Sequence, residues 1–137
     1  MDSFTKEEYQ LAYESAYEFA QKKIRPLNPE IERTDAFPPE IWKLLAERGY
    51  LGVGIPEVYG GSGGDYHMAA LMLRGITRVN PAIAMSVGAH LNLCGHNILR
   101  NGTEQQRQTY LPRLVRAEMI GGLALTEPNA GSDAMGI

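Results

Sequence analysis

Apolar residues return at the spacing of a helical turn along most of this chain, and local start and stop signals divide them into separate stretches. Tyr9, Ala12, Tyr13, Ala16, Ala20 and Ile24 form one stripe, opened by Thr5-Lys6-Glu7-Glu8, which has the form of a capping box. Pro26 and Pro29 are expected to end that helix. A second helix is predicted after Pro38-Pro39, through Ile41, Leu44 and Leu45 to Gly49 as the residue beyond its end. Asp65 can cap a third helix carrying Met68, Leu71, Met72, Gly75 and Val79. Asn80-Pro81 opens a fourth with the stripe Ile83, Val87, Leu91, Cys94 and Ile98, closed by Gly102. A second capping box, Thr103-Glu104-Gln105-Gln106, opens a fifth helix through Leu111 and Leu114, with a kink or early end expected at Pro112. Residues 119–125 lose the period and stand between Glu118 and Pro128, which suits a strand over 120–126. The pattern is a mainly α fold, an antiparallel helical bundle followed by the beginning of a sheet.

Composition narrows the function classes. A net charge of −3 supplies no basic footprint for nucleic acid or an anionic membrane. The single cysteine, Cys94, excludes an internal disulfide and a cysteine-based zinc site, and it fits a reducing cytosol. The start Met1-Asp2-Ser3-Phe4-Thr5-Lys6-Glu7-Glu8 lacks the cationic and apolar regions of a signal peptide and is too acidic for a typical mitochondrial transit peptide, so a cytoplasmic location is expected. From Val79 to Leu99 there is no charged residue, yet Asn80, Ser86, His90, Asn92, His96 and Asn97 would be costly in lipid. A central helix of a bundle explains that stretch, and no membrane span is expected.

Several residues invite chemistry and are better explained without it. Gly60-Gly61-Ser62-Gly63-Gly64 lacks the Lys-Ser or Lys-Thr of a P-loop and misses the third glycine of a dinucleotide fingerprint. It reads as a flexible or positive-φ connection between helices. His90 and His96 are six residues apart, not at the i, i+4 spacing of a helical metal pair, so satisfied core or interface histidines are expected and no metal site. Cys94 lies on the apolar stripe as an inert thiol. The carboxylates open to catalysis are Glu57, Glu118, Glu127 and Asp133.

The segment Ala124-Leu125-Thr126-Glu127-Pro128-Asn129-Ala130-Gly131-Ser132-Asp133 is different. It carries an apolar run into a turn that presents the Thr126 hydroxyl, N–H groups around Gly131 and the Ser132 hydroxyl. Successive N–H groups in a turn can hold an anion, and glycine allows a phosphate to come close. Its spacing resembles the first signature of the acyl-CoA dehydrogenases, flavoenzymes that remove two hydrogens from an acyl-CoA thioester. The resemblance extends through Leu51-Gly52-Val53, Tyr59-Gly60-Gly61, Gly88-Ala89-His90-Leu91-Asn92-Leu93-Cys94, Asn101-Gly102-Thr103-Glu104-Gln105-Gln106 and Tyr110-Leu111-Pro112-Arg113-Leu114. Within the family, Ala89-His90 with Asn92-Leu93-Cys94 and the Glu127 to Asp133 run is most similar to the isovaleryl-CoA, short or branched-chain branch.

The resemblance implies an N-terminal helical domain over 1–117 and the start of the middle β domain, with its FAD-binding signature, over 118–137. It implies FAD as cofactor, with Leu123, Leu125, Thr126, Gly131 and Ser132 lining it. Leu125 and Thr126 would meet the flavin ring, and Gly131 and Ser132 the pyrophosphate. Ser132 would also reach the pantetheine arm of the acyl-CoA substrate. Met85, Ala89 and Leu93 match acyl-pocket positions, and a second packed face of a central helix accounts for them equally. The family's catalytic base is a Glu from a C-terminal helical domain, so no catalytic residue is expected in this chain; Glu127 and Asp133 are assigned to turn hydrogen bonds. Members are about three domains long and usually tetrameric, so a chain ending at Gly136-Ile137 is expected to be an N-terminal fragment, inactive alone. Electron-transfer flavoprotein is the implied electron acceptor. An acyl-CoA oxidase, a nitroalkane-oxidase-like flavoenzyme and a non-catalytic helical interaction fragment are the alternatives.

Overall fold

A computed structural model describes residues 4–136. Its helices are α1 (Lys6–Phe19), α2 (Asn28–Thr34), α3 (Glu40–Glu47), α4 (Tyr66–Thr77), α5 (Pro81–Gly88), α6 (His96–Asn101) and α7 (Glu104–Val115). Both capping boxes form: Thr5 accepts from the Glu8 N–H and Thr103 from the Gln106 N–H, and each N3 side chain reaches back. Asp65 and Asn80 cap α4 and α5 through the N–H groups of Met68 and Ile83. Each such cap is worth about 1 kcal/mol. They fix where the helices begin, but packing decides where they go.

The core is built from the expected stripes. Ala16, Ala20 and Ile24 meet Met72 and Ile76 of α4, with Ile41, Leu45, Ile83, Val87, Leu91 and Leu111 completing one apolar cluster. α1 and α4 approach so closely that a Cβ on Gly75 would stand 2.7 Å from the Tyr13 carbonyl oxygen and 2.8 Å from the Tyr17 nitrogen. Polar side chains tie the elements at their ends. The Tyr9 hydroxyl donates to Asp65 at 2.6 Å, joining α1 to the cap of α4. The Asn28 amide donates to the Val79 carbonyl and its oxygen accepts from the Asn80 amide, both at 3.0 Å, so the α4–α5 corner is held against α2 with its amides satisfied.

Three helix boundaries differ from expectation. Pro26 and Pro29 do not end the first helical path. A π turn (Ala20–Ile24) and a 3-10 turn (Arg25–Leu27) carry it into α2, which stops at Asp35 in the left-handed region. Each proline stands in the first turn of a new helical segment, where its missing N–H is no loss. Pro112 likewise leaves α7 running to Val115. The carbonyl it strips of a partner belongs to exposed Gln108, which water can satisfy, while Leu111, Leu114 and Val115 anchor the turn in the core. The fourth helix is broken in register by a π turn over Ala89–Gly95 between α5 and α6.

The strand expected over 120–126 does not form; that segment is irregular, and among the described residues the only bridge near it joins Glu127 to Ala130. A strand is defined by its ladder, and among the described residues no second extended segment lies beside this one to supply it. The Tyr59 to Gly64 connection does take positive φ at Gly60, Gly63 and Gly64. It is closed by its own backbone, however, since the N–H groups of Gly60, Gly61, Ser62 and Gly63 donate to the Glu57, Pro56, Gly52 and Ile55 carbonyls. With every one of those donors occupied, the loop has no nest to offer a phosphate.

Candidate functional site

The chain leaves α7 through Ala117, held at φ 56, with the Glu118 N–H donating back to the Arg113 carbonyl. It then crosses the π turn of Ala89–Gly95. There the Gly121 N–H donates to His90 Nδ1 at 3.0 Å. Gly121 lies so close to Cys94 that a Cβ on it would stand 2.3 Å from the sulfur. The Gly122 N–H faces the same thiol; burial pushes Cys94 up and this contact offsets part of the rise. The segment 123–133 therefore starts from a point seated on the helical bundle.

Beyond that seat the side chains turn outward. Leu123 and Leu125 are about half exposed, and Thr126 and Ser132 are exposed with no hydrogen bond from either hydroxyl among the described residues. Glu127 and Ala130 exchange reciprocal backbone bonds of 2.8 and 3.2 Å, closing a tight turn whose inner residues are Pro128 and Asn129. The N–H groups of Gly131 and Ser132 follow this turn and donate to no described backbone carbonyl. Gly131 does not adopt positive φ, contrary to one reason for expecting glycine there. A Cβ at Gly131 would meet only the Thr126 methyl carbon, at 3.6 Å, which is an ordinary contact. An apolar pair, two hydroxyls and two free N–H groups in one stretch suit a ligand that joins an aromatic ring system to a phosphate chain, as FAD does.

Met85 is three-quarters exposed and Leu93 half exposed, with Ala89 between them and partly covered. Leu93 shares a shallow depression with Leu123, Tyr66 and His96, so this end of the helix adjoins the outward segment. Met85 lies two turns further back and shares no such depression with it. The carboxylates separate as well. Glu118 is ion-paired with Arg116 at 2.7 Å, and that bond holds its carboxyl below the usual range, a poor setting for a base. Glu57, Glu127 and Asp133 are exposed, with no metal-ligating cluster among the described residues.

Both buried histidines are core residues, and His90 is the one whose role sequence reasoning missed. Its Nε2 lies 3.2 Å from the Leu114 carbonyl and its ring 5.3 Å from the Trp42 ring. Burial lowers its pKa, against a smaller rise from Leu114. His96 Nε2 stands 2.9 Å from the Val53 carbonyl, while its Nδ1 has no partner. Burial lowers its pKa too, with the Val53 bond opposing and the Arg100 charge adding. No local pattern signals that role, because the Gly121 that His90 holds lies 31 positions further along the chain.

The geometry defines a helical domain that carries an exposed, outward-facing segment across its surface. Comparison with known proteins gives that class its family. Residues 6–118 match the model of the acyl-CoA dehydrogenase N-terminal domain. An isovaleryl-CoA dehydrogenase of Solanum tuberosum, named as mitochondrial, is 44% identical over 124 residues, 89% of this chain and 30% of that protein. Butyryl-CoA dehydrogenase from Megasphaera elsdenii superposes with a TM-score of 0.87 at 32% identity, covering 99% of this chain and 36% of its own. An acyl-CoA dehydrogenase of Bacillus anthracis, solved in complex with FAD, superposes with a TM-score of 0.83 at 31% identity, covering 98% and 23%. The chain belongs to the acyl-CoA dehydrogenase family, and it spans about a third of the length of the curated relatives it matches. Its fold is the helical N-terminal domain of that family, and no described helix is long and apolar enough to cross a membrane.

Proposed function

We propose that this chain is the N-terminal part of a FAD-dependent enzyme that dehydrogenates a short or branched acyl-CoA thioester to the enoyl-CoA. The observation that carries this is the row of unpartnered donors, Thr126, Gly131 and Ser132, set beside outward Leu123 and Leu125 in a member of this family. In this reading residues 1–117 are the helical domain and 118–137 open the β domain. FAD supplies the acceptor for the two hydrogens. Thr126 hydrogen-bonds the flavin ring while Leu123 and Leu125 exclude water from it; Gly131 admits the pyrophosphate to its own N–H and that of Ser132. The Ser132 hydroxyl also meets the pantetheine arm. Met85, Ala89 and Leu93 line the acyl end, where the small Ala89 leaves room for a branch. The carboxylate that removes the α-proton lies outside residues 1–137. Electron-transfer flavoprotein takes up the electrons, and the working enzyme is a tetramer.

The test uses the full-length protein with FAD, isovaleryl-CoA and butyryl-CoA, with reduction followed through electron-transfer flavoprotein and peroxide measured in parallel. Turnover coupled to the flavoprotein supports the reading. Peroxide formation in its place identifies an oxidase, and a protein that neither holds FAD nor turns over either thioester overturns the proposal.

A further inference from the structure

His90 is joined to three parts of the fold at once. It sits on the π turn between α5 and α6, packs on Trp42 of α3, faces the last turn of α7 at Leu114 and receives Gly121. The bond from Gly121 settles its protonation. An N–H that donates to Nδ1 requires a bare nitrogen there, so the ring's single proton is on Nε2 and is donated to the Leu114 carbonyl. The imidazole thus accepts from the outgoing segment on one side and donates to the end of α7 on the other. Gly121 itself can occupy that place because it has no Cβ, Cys94 being in van der Waals contact with its Cα side.

We infer that His90 is a positioning residue for the flavin-facing segment: by holding the Gly121 amide it sets the register in which Leu123, Leu125 and Thr126 present themselves. Thr126 follows Gly121 by five positions, and residues 122–129 between that anchor and the turn are all exposed, so Gly121 is where the segment is held to the bundle. A slip of one residue at Gly121 would carry Leu125 or Glu127 into the place of Thr126. The segment has no ladder of its own among the described residues to prevent this, so the anchor carries the register. This rests on the flavin reading proposed above, and it adds a residue that touches neither flavin nor substrate. The contrasting role is a histidine that fills the core and nothing more.

Three variants of the full-length protein separate the two. His90→Asn keeps an acceptor near the place of Nδ1, His90→Gln keeps a donor toward Leu114 but not that acceptor, and His90→Phe keeps only the ring. Three quantities are read: hydrogen exchange at the Gly121 amide, the FAD dissociation constant and the flavin midpoint potential. His90→Phe and His90→Gln should speed Gly121 exchange, weaken FAD by on the order of tenfold, the scale of one lost hydrogen bond, and move the potential. His90→Asn should return all three toward wild type. If His90→Phe fails to fold, the contrast between Asn and Gln decides alone. FAD affinity and potential unchanged in His90→Gln, or lost equally in Asn and Gln, overturn the inference. Wild-type protein that holds no FAD overturns the proposed function instead, and Gly121 exchange then still reports whether His90 pins this segment.

Discussion

At the scale of single residues, Thr126 and Gly131 do little for this fold, which is why they are informative. Thr126 is exposed, and a Cβ on Gly131 would meet only the Thr126 methyl carbon in ordinary contact, so neither is needed to fill the core or relieve the backbone. Thr126→Val in the full-length protein should leave the melting temperature nearly unchanged and weaken FAD by ~1–3 kcal/mol, the cost of a hydrogen bond lost at a group buried on binding. FAD titration of the variant checks this, and unchanged affinity with an unchanged flavin potential removes Thr126 from the site. Gly131→Val should cost more FAD than Thr126→Val while melting normally, since the branched side chain would stand in the way of the proposed phosphate approach. FAD content and melting measured side by side distinguish the roles. Stoichiometric FAD with a lower melting temperature would make Gly131 structural. The motif was readable because its residue types and spacing are local; the His90 bond to Gly121 joins residues 31 apart and leaves no local trace.

At the scale of elements, capping and packing divide the work. Thr5, Asp65, Asn80 and Thr103 were legible as starts because a cap needs only its own side chain and an N–H three residues on. The π turns were not, because inserting a residue into a helix trades a local bond for a better fit of two buried faces. In the second of them both His90 and Leu91 are buried, then Gly95 and His96. Gly75 is the packing counterpart of the caps. Gly75→Ala should lower stability by ~1–3 kcal/mol through overpacking, despite alanine's better helix propensity, because its Cβ meets backbone of α1 rather than a movable side chain. Thermal melting tests it, and a variant as stable as wild type would mean that α1 and α4 do not approach this closely.

At the scale of the molecule, the two buried histidines make stability depend on pH. Both have their pKa lowered from the usual 6.5 by burial, with no carboxylate among the described residues within ion-pair distance of either and only Arg100 adding charge, at His96. Below that value the unfolded chain binds protons that the folded one refuses, so stability is full above about pH 6.5 and falls as pH drops beneath it. The melting temperature should decline between pH 7.5 and 5.5, and a flat or rising curve would contradict the buried neutral rings. Residues 1–137 purified alone should hold no stoichiometric FAD, because Leu123 and Leu125 remain half exposed with one side of the segment uncovered; a yellow, active 137-residue protein would show otherwise. The sequence by itself determined the helical class, the caps and the stripes, since all are set by spacing within a few residues. Tertiary structure decided that Pro26 and Pro112 are carried through, that 120–126 lacks a ladder, and that His90 seats Gly121. Those outcomes depend on which distant groups come into contact, and spacing along the chain does not encode that.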